Sequence, residues 1–321
     1  MNMEPKQAKP SFLKDIFSSN ALFTHGSRLV CGTSGLGGVW GKVDEKESVD
    51  SILYMLGQGI TSLDTAPSYH LAEKIAGQAV RQWKGEIFIS TKVGRLPARR
   101  ADECYVDYSP AAMRDSLNRS LDLLGREKVD LLFLHEPHLV PVEKMPEILE
   151  TLTSFREEGK TDLLGIGGNP RPAFMPYVSG KYFDVLSGFL GLDACNLHAL
   201  NTYIPQLNKE GIAFYAASAL HMGLLGDKYE FFAKNPPDNE WITRRDIAAA
   251  TAVRQIAVRE NISLPELSLR YLLSAREAGR VVAGAANMEQ AKSLVAIWAK
   301  GGLEENLFDE ISLEILNHNS G

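Results

Sequence analysis

The chain has 321 residues, of which 45% are hydrophobic and 23% charged, and its formal net charge at pH 7 is −6. This length and apolar content allow a single large domain with a substantial core. The negative net charge argues against a nucleic-acid partner, because phosphate contacts need a basic patch. No segment approaches the ~18 uninterrupted apolar residues of a membrane span, so we expect no association with a membrane.

The N-terminal residues and the cysteines indicate the compartment. Residues 1–15 alternate charge and proline and contain no apolar run of the kind found in signal peptides. The three cysteines, Cys31, Cys104 and Cys195, form no Cys-x-x-Cys pair, which favours a reducing compartment. We therefore expect a cytoplasmic protein with a flexible tail over residues 1–20 and one domain over residues 21–321.

Short apolar runs follow the tail, and most of them precede a segment with helical periodicity. Several runs are apolar on both faces, as in parallel strands that are covered on both sides. The predicted strands are 29–33, 61–64, 87–92, 130–135, 163–167, 183–186, 212–217 and 281–283.

The segments between these runs predict helices. The clearest start signal is Ser109 followed by Pro110, an N-cap residue and a proline at the first helical position. Ser263 gives a similar signal before a helix near residue 264. The other predicted helices are 45–57, 143–158, 246–261 and 307–316, and residues 222–244 form the longest irregular stretch.

Eight strand–helix units predict a parallel sheet closed into a (β/α)8 TIM barrel, an α/β fold with a single domain. The alternative is an open, doubly wound sheet that binds a dinucleotide at its first turn. A glycine run follows the first predicted strand, but a Gly-x-Gly-x-x-Gly pattern starting at Gly35 would need glycine where Trp40 stands. The barrel is therefore the favoured fold.

Four polar residues lie where predicted strands end. Asp64, Lys92 and His135 end the second, third and fourth strands, and Tyr69 lies in the loop after Asp64. Active sites of such barrels gather at the carboxyl ends of the strands. A carbonyl that accepts a hydride needs a proton, and an ammonium near a tyrosine favours the phenolate. These residues therefore suit carbonyl reduction or alcohol oxidation, in which a cofactor supplies or takes the hydride.

The sequences around these residues resemble the aldo-keto reductase family. The segment SLDTAPSYH at 62–70 is similar to the signature loop of that family, STKVG at 90–94 to its lysine strand, and LLFLHEP at 131–137 to its histidine strand. The resemblance covers roughly residues 28–295 and implies a catalytic tetrad of Asp64, Tyr69, Lys92 and His135. Within the family, the chain looks most like the branch of aldose 1-dehydrogenases and pyridoxal dehydrogenase.

The resemblance also implies an extended nicotinamide dinucleotide, NAD or NADP, across the barrel mouth. Its carboxamide would contact Asn169, and its pyrophosphate would lie along Ser218 and Leu220. The other implied contacts are Gly35 in a tight turn under the cofactor, Gly284, Asn287 and Gln290 near the adenosine ribose, and Trp40 and His138 beside the substrate.

The sequence departs from the family pattern in several places. His70 replaces the usual glycine after the tyrosine, and Ala217 stands where many members stack an aromatic ring on the nicotinamide. Leu192 replaces a common glutamine. These differences bear more on the nicotinamide contacts than on the tetrad.

Positions that bind the 2′-phosphate in NADP-preferring members carry no basic residue here. They read Gly284, Ala286 and Gln290. A missing charge-assisted hydrogen bond weakens binding by about tenfold or more, so we expect a weak preference for NAD. The basic residues that could take over this role are Arg276, Arg280 and Lys292.

The predicted function is a hydride transfer between NAD(P) and a small carbonyl or alcohol, with an aldose oxidised at C1 as the expected substrate. One alternative is a dinucleotide-binding regulatory subunit of the same fold with little turnover. A second is a metal-dependent hydrolase, because His135, Glu136 and His138 are close in sequence; we expect no metal. The protein is expected to be a monomer or a small homo-oligomer.

Overall fold

The strands form a closed parallel barrel in the computed structural model, which describes residues 8–15, 22–97, 105–237 and 241–319. The barrel order is β1-β2-β3-β6-β7-β8-β9-β10, and β4 pairs with β5 in a separate antiparallel hairpin. The strands are β1 Leu29–Gly32, β2 Ser62–Asp64, β3 Phe88–Val93, β4 Arg95–Leu96, β5 Tyr105–Val106, β6 Val129–His135, β7 Thr161–Gly167, β8 Val185–Phe189, β9 Ala213–Ala217 and β10 Arg280–Gly284.

Pairing between the first and last strands closes the barrel. Leu29 lies opposite Val281, and the register continues to Gly32 opposite Gly284. An open sheet would leave these two strands as edges, so the doubly wound alternative is excluded. The predicted (β/α)8 barrel is confirmed.

Helices surround the barrel, and two of them begin at the predicted start signals. Ser109 caps α3 and Ser263 caps α8, each with proline in the first turn. α7 begins two residues before the predicted start because Thr243 and Asp246 form a reciprocal capping box. The helices are α1 Glu45–Gly57, α2 Ala72–Gln82, α3 Pro110–Leu124, α4 Met145–Glu157, α5 Ile204–Glu210, α6 Tyr229–Lys234, α7 Arg244–Arg259, α8 Leu264–Ser274, α9 Met288–Lys300 and α10 Glu305–Asn319.

Side chains alternate between two apolar layers, as the period of two in a strand requires. One layer fills the barrel interior and includes Phe88, Phe133 and Tyr215. The other joins the outer faces of the strands to the surrounding helices. Because the interior is filled with side chains, the polar groups at the carboxyl ends of the strands rest on an apolar floor.

The described part of the predicted tail contacts the domain. The Phe12 ring packs against Phe308 with centroids 5.5 Å apart, and Leu13 donates its backbone N–H to the carbonyl oxygen of Ser274 at 2.8 Å. The other residues assigned to the tail, 1–7 and 16–20, lie outside the described residues, as does Cys104. The division into a tail and a domain stays a prediction.

The stretch predicted as irregular contains a helix, so that prediction is wrong over α6. Tyr229 begins α6 and is buried, and its hydroxyl donates to Thr251 Oγ1 at 3.0 Å on α7. The Arg254 guanidinium lies 4.8 Å from the centre of the Tyr229 ring, which further fixes α6 against α7. Within the described residues, every helix is too short or too polar to traverse a lipid bilayer.

Candidate active site

Asp64, Lys92 and His135 meet at one end of the barrel. Asp64 ends β2, His135 ends β6, and Lys92 lies one residue before the end of β3. These three strands are neighbours, with Asp64 opposite Ser90 and Lys92 opposite Phe133. Parallel pairing therefore brings together three side chains that are far apart in the sequence.

The Lys92 ammonium is fixed by short contacts. Its Nζ donates to Asp64 Oδ2 at 2.7 Å and to the carbonyl oxygen of Thr65 at 2.8 Å. Ser90 Oγ donates to Asp64 Oδ1 at 2.7 Å, so both carboxylate oxygens are engaged. Lys92 is 4% exposed, and a buried ammonium of this kind requires such partners.

Tyr69 lies beside this ion pair in the loop after β2. The Lys92 Nζ is 4.9 Å from the centre of the Tyr69 ring, and the rings of Tyr69 and His135 meet edge to face with centroids 6.0 Å apart. The Tyr69 N–H donates to the Ala66 carbonyl, and the Tyr69 carbonyl accepts from Ala72 N. The structure thus brings all four predicted tetrad residues together.

Burial and the Lys92 charge shift the pKa of Tyr69 in opposite directions. Burial raises the pKa of the phenol, the Lys92 ammonium lowers it, and the Asp64 carboxylate raises it again, so that the net pKa is above its ordinary value. The effect of Lys92 on the Tyr69 pKa has the sign predicted from sequence, but burial outweighs it. Tyr69 is therefore a protonated phenol at neutral pH.

Lys92 keeps its charge because of these neighbours. Burial alone would lower its pKa, but Asp64 and Tyr69 hold that pKa above its ordinary value. The cation is thus present at neutral pH beside the hydroxyl that it influences.

His135 is held neutral. Burial lowers its pKa well below the usual value, and the positive charges of Lys92 and Arg95 act in the same direction. Among the described residues, its Nδ1 atom has no hydrogen-bond partner. A neutral imidazole carries one N–H donor, which suits it to bind a carbonyl oxygen.

The chain around His135 is held by groups that sequence reasoning did not identify. The Tyr108 hydroxyl lies 2.9 Å from the His135 carbonyl oxygen and 3.0 Å from that of Glu136. Arg95 Nη1 donates to Glu136 Oε1 at 2.9 Å, and His138 Nδ1 lies 3.4 Å from Glu136 Oε2. The Glu136 carboxylate thus forms an ion pair with Arg95 at the rim, and His138 is partly exposed beside it.

Two further polar side chains support the lysine strand. Ser90 lies two residues before Lys92 and points to the same face, and this spacing is a sequence signal that could have identified it. Thr91 points to the opposite face and donates to Glu73 Oε1 at 2.6 Å. Glu73 is buried on α2, so this bond ties the helix after Tyr69 to the lysine strand.

The residues assigned to the carboxamide and the pyrophosphate follow β7 and β9, the two strands that flank β8. Asn169 Nδ2 donates to the Phe189 carbonyl oxygen at 2.8 Å, and Asn169 Oδ1 accepts from Phe189 N at 3.0 Å. One amide hydrogen and one lone pair of Asn169 remain for a ligand. Ser218 and Leu220 follow β9 and are half-buried, and Ser218 has a left-handed backbone with φ of 58°.

The glycine turn after β1 is packed between two loops. A Cβ at Gly35 would lie 2.5 Å from the Ala285 carbonyl oxygen, and one at Gly37 would lie 2.5 Å from the Tyr69 carbonyl oxygen. These positions therefore need glycine because other backbones approach them closely. The turn joins the Tyr69 loop to the segment that follows Gly284, where β10 ends.

The residues assigned to the adenosine ribose form the start of α9. Asn287 caps this helix by accepting from Gln290 N at 2.9 Å, and Gln290 Oε1 accepts from Ala286 N at 2.8 Å. Their amide N–H groups remain available as donors. Glu47 Oε1 on α1 accepts from Met288 N at 3.1 Å, so a carboxylate already occupies the start of this helix.

Two of the three basic residues considered for the 2′-phosphate are at the wrong end of the barrel. Arg280 begins β10, is 2% exposed and donates to the His25 carbonyl oxygen, so it cannot reach the mouth. Arg276 precedes that strand, and its backbone N–H donates to Ser11 O on the same side. Lys292 is exposed on α9 and is the remaining candidate.

Exposed apolar side chains surround the barrel mouth. Trp40, which is 70% exposed, follows β1, and most other exposed large apolar residues of the described chain also lie in segments between a barrel strand and the following large helix, with Tyr105 in β5 and Phe231 in α6. These others are Leu71, Tyr105, Leu139, Met222, Phe231 and Trp241. A few convergent polar groups among apolar side chains are the usual composition of a small-molecule site.

Comparison with known proteins identifies the family. The family model described as Aldo/keto reductase family matches residues 28–312. D-arabinose 1-dehydrogenase of Saccharomyces cerevisiae is 30% identical over 267 residues, which are 78% of this chain and 76% of that protein. L-galactose dehydrogenase of Arabidopsis thaliana is 27% identical over 274 residues, which are 83% of this chain and 82% of that protein.

A solved structure shows the same fold. The glycerol dehydrogenase of Gluconobacter oxydans superposes with a TM-score of 0.74 and 21% identity, covering 98% of this chain and 96% of the other. Together with the match of the family model over most of the chain, the relatives establish the family. The chain belongs to the aldo/keto reductase family of oxidoreductases.

Proposed function

We propose that this protein transfers a hydride between a nicotinamide dinucleotide and a small polar carbonyl or alcohol, with Tyr69 exchanging the proton. One observation carries the proposal: the Lys92 ammonium, bonded to Asp64 at 2.7 Å, lies 4.9 Å from the ring centre of Tyr69 at the barrel mouth. This arrangement supports a mechanism in which the phenol, the cation and the neutral imidazole act on one substrate oxygen.

The proton chemistry follows from the charges. In reduction, the phenolic proton of Tyr69 moves to the carbonyl oxygen as negative charge develops there, and Lys92 stabilises the phenolate that remains. In oxidation, the phenolate removes the alcohol proton, so the same residue acts as a general base. Bound nicotinamide would supply the hydride in reduction and accept it in oxidation.

His135 and Asp64 have supporting roles in this proposal. Because the pKa of His135 is well below its usual value, the imidazole is neutral and donates one hydrogen bond to the substrate oxygen without competing as an acid. Asp64 holds Lys92 in place and keeps it charged. His138 and Trp40 at the rim would contact the rest of the substrate.

A nicotinamide dinucleotide fits the donor set of the mouth. Asn169 has an amide hydrogen and a lone pair left for the nicotinamide carboxamide. Ser218 and Leu220 follow β9 and would lie along the pyrophosphate. Asn287 and Gln290 offer amide donors to a ribose. Uncharged residues at 284, 286 and 290, with the Glu47 carboxylate beside them, favour a neutral ribose diol over a 2′-phosphate. We therefore propose a preference for NAD.

The proposed substrate class is aldoses oxidised at C1, or similarly small polar aldehydes. The relatives named for L-galactose and D-arabinose oxidation support this choice. The polar groups of Tyr69 and His135 suit the reacting hydroxyl. The exposed aromatic residues Trp40 and Trp241 can pack against the C–H faces of a sugar ring. If kcat/KM is highest for large hydrophobic ketones, the substrate assignment is wrong.

The test compares two tyrosines of the same barrel. General acid–base catalysis contributes roughly 10²–10⁴-fold, so Tyr69→Phe should lower kcat by that order while the Kd of the dinucleotide changes little. The matched control is Tyr215→Phe, which removes a hydroxyl from the barrel interior away from the mouth and should leave kcat unchanged.

Two results would contradict the proposal. Wild-type turnover in Tyr69→Phe would exclude Tyr69 as the proton carrier. A wild-type protein that binds the dinucleotide but turns over no aldose or aldehyde would instead be a binding subunit.

A further inference from the structure

A buried group of charged side chains lies next to Ser218 and Leu220, the residues proposed to contact the dinucleotide. Asp193 lies in the loop after β8, His221 in the loop after β9, and Asp246 in the first turn of α7. Asp193 and His221 are 0% exposed and Asp246 is 2% exposed. The three residues join two loops of the mouth to the helix that packs behind them.

The hydrogen bonds of this group are directional. His221 Nδ1 lies at hydrogen-bond distance, 2.7 Å, from Asp193 Oδ2, whereas its Nε2 lies 3.7 Å from Asp246 Oδ2, an ion-pair distance beyond hydrogen-bond reach. Asp193 Oδ1 accepts from the backbone N–H groups of Cys195 and Asn196, each at 2.9 Å. With a carboxylate on each side, the imidazole is best accommodated as a cation. Burial lowers the pKa of His221, but Asp193, Cys195 and Asp246 together outweigh burial, and the net pKa is well above the usual value.

The backbone around His221 is in an unfavourable conformation. Ser218, His221 and Met222 have φ values of 58°, 45° and 55°, in the left-handed region that L side chains rarely adopt. Such residues persist where surrounding contacts over-determine them. The backbone bonds of His221 N to Ser218 O at 2.7 Å and of Leu225 N to Leu220 O at 3.1 Å close this loop into a compact turn.

We propose that the Asp193–His221–Asp246 group is a positioning device for the loop Ser218–Leu225. It holds the left-handed backbone conformations of this loop and so keeps Ser218 and Leu220 in place to contact the dinucleotide. His221 is the one member on the loop itself, and its two partners lie on two other elements that Asn196 links to each other. Asp193 is fixed by two backbone N–H groups of its own loop, and Asp246 accepts from Thr243 N at 2.8 Å and from Asn196 Nδ2 at 2.8 Å. The inference rests on the proposed function, because it assumes that Ser218 and Leu220 contact the cofactor.

The same neighbourhood includes Cys195, so a metal site is the competing explanation. One ligand-type atom from each of Asp193, Cys195 and His221 lies within 4.8 Å of the others. The 2.7 Å separation of Asp193 and His221 is a hydrogen-bond distance, and Cys195 Sγ donates to Asp193 Oδ1 at 3.2 Å. The geometry therefore favours a hydrogen-bonded ion group.

The experiment uses the full-length protein and three variants. His221→Asn keeps a donor near Asp193 but removes the charge and the reach to Asp246. Asp246→Asn is the second variant, in case the first does not fold. Cys195→Ser is the matched control, because serine can still donate to Asp193 and Cys195 does not lie on the loop. The readouts are the Kd of NAD by fluorescence titration, backbone hydrogen exchange of residues 218–225 without ligand, and zinc content by elemental analysis.

We expect His221→Asn and Asp246→Asn to weaken NAD binding by about tenfold or more and to speed exchange in residues 218–225 while exchange in β3 and β6 is unchanged. Cys195→Ser should match the wild type in both. Unchanged exchange and an unchanged Kd in a folded His221→Asn protein would overturn the proposal. One equivalent of zinc that is lost in Cys195→Ser would overturn it in favour of a metal site. If the wild type binds no dinucleotide, the proposed function fails, but the exchange data still decide whether the group holds the loop.

Discussion

Two buried cations lie at opposite ends of the same barrel, and their surroundings differ. At the amino-terminal end, the Arg280 guanidinium lies 4.3 Å from the ring centre of Phe23 and 4.0 Å from that of Phe88, and it donates to the His25 carbonyl oxygen. At the mouth, the Lys92 ammonium faces a carboxylate and a phenol. The first cation contacts aromatic rings, including that of Tyr215, and a backbone carbonyl, whereas the second is paired directly with a carboxylate.

The backbone shows the same contrast. Six of the seven described non-glycine residues with left-handed φ lie in loops after the carboxyl ends of strands, and the seventh, Asn261, follows α7. The six are His70, Glu136, Leu190, Ser218, His221 and Met222. Strained backbone is thus gathered at the mouth, where barrel enzymes place chemistry.

The largest effects that we predict, on kcat and on stability, come from removing each cation in turn. The double variant Asp64→Asn/Lys92→Met should lose roughly 10²–10⁴ in kcat. Its stability should be retained or increased, because replacing a buried ion pair by neutral residues is often neutral or stabilising. Arg280→Met should be destabilised by about 2 kcal/mol or more through its lost cation–π contacts, with kcat retained.

Chemical denaturation and steady-state kinetics on the same samples check both variants. The contrast between the two ends would fail if the double variant kept its kcat, or if Arg280→Met lost activity while remaining folded.

A smaller effect, on dinucleotide affinity, is expected at the start of α9. Glu47→Gln removes the carboxylate at the start of α9 and should tighten NADP binding by roughly fivefold, with NAD binding unchanged, since exposed charges contribute modestly. The gain should shrink at high salt. Glu45→Gln is the matched control, because Glu45 lies on the same helix but pairs with Lys74 at 2.7 Å. Equal Kd changes in the two variants would show that Glu47 does not select the cofactor.

The smallest predicted effect tests the strained backbone at His70. Its φ of 52° explains why glycine is usual at this position in the family that the sequence resembles. His70→Gly should raise the free energy of unfolding by up to about 1 kcal/mol, because relief of strain is partly offset by the greater entropy of an unfolded glycine. His70→Val should lower it. Thermal unfolding distinguishes the two, and the same sign for both would argue against strain at this position.

The barrel could be predicted from sequence because parallel strands covered on both faces leave continuous apolar runs. The eight runs correspond to the eight barrel strands, although the run 183–186 is shifted from Val185–Phe189, where Gly188 interrupts the pattern. The hairpin strands β4 and β5 have two residues each, too few for a periodicity. Helix α2 has no start signal, since Leu71 precedes it without a capping side chain, and α5 and α9 were also not predicted.

The tetrad could be predicted because each member ends a strand or follows one closely in the sequence. The Asp193–His221–Asp246 group could not, because its members lie on three separate elements and no local pattern links them. The net rise in the pKa of Tyr69 was also beyond the sequence, since it depends on how deeply the ring is buried.

The measurement that tests the central claim most directly is the pH dependence of kcat for alcohol oxidation in the wild type and in Lys92→Met. Oxidation needs the phenolate, so the rate should rise with pH through the pKa of Tyr69. Since Lys92 lowers that pKa against the effect of burial, its removal should shift the limb to higher pH. The account predicts that the rise in kcat occurs at higher pH in Lys92→Met than in the wild type and is absent in Tyr69→Phe. A limb in Lys92→Met at the wild-type position would contradict it.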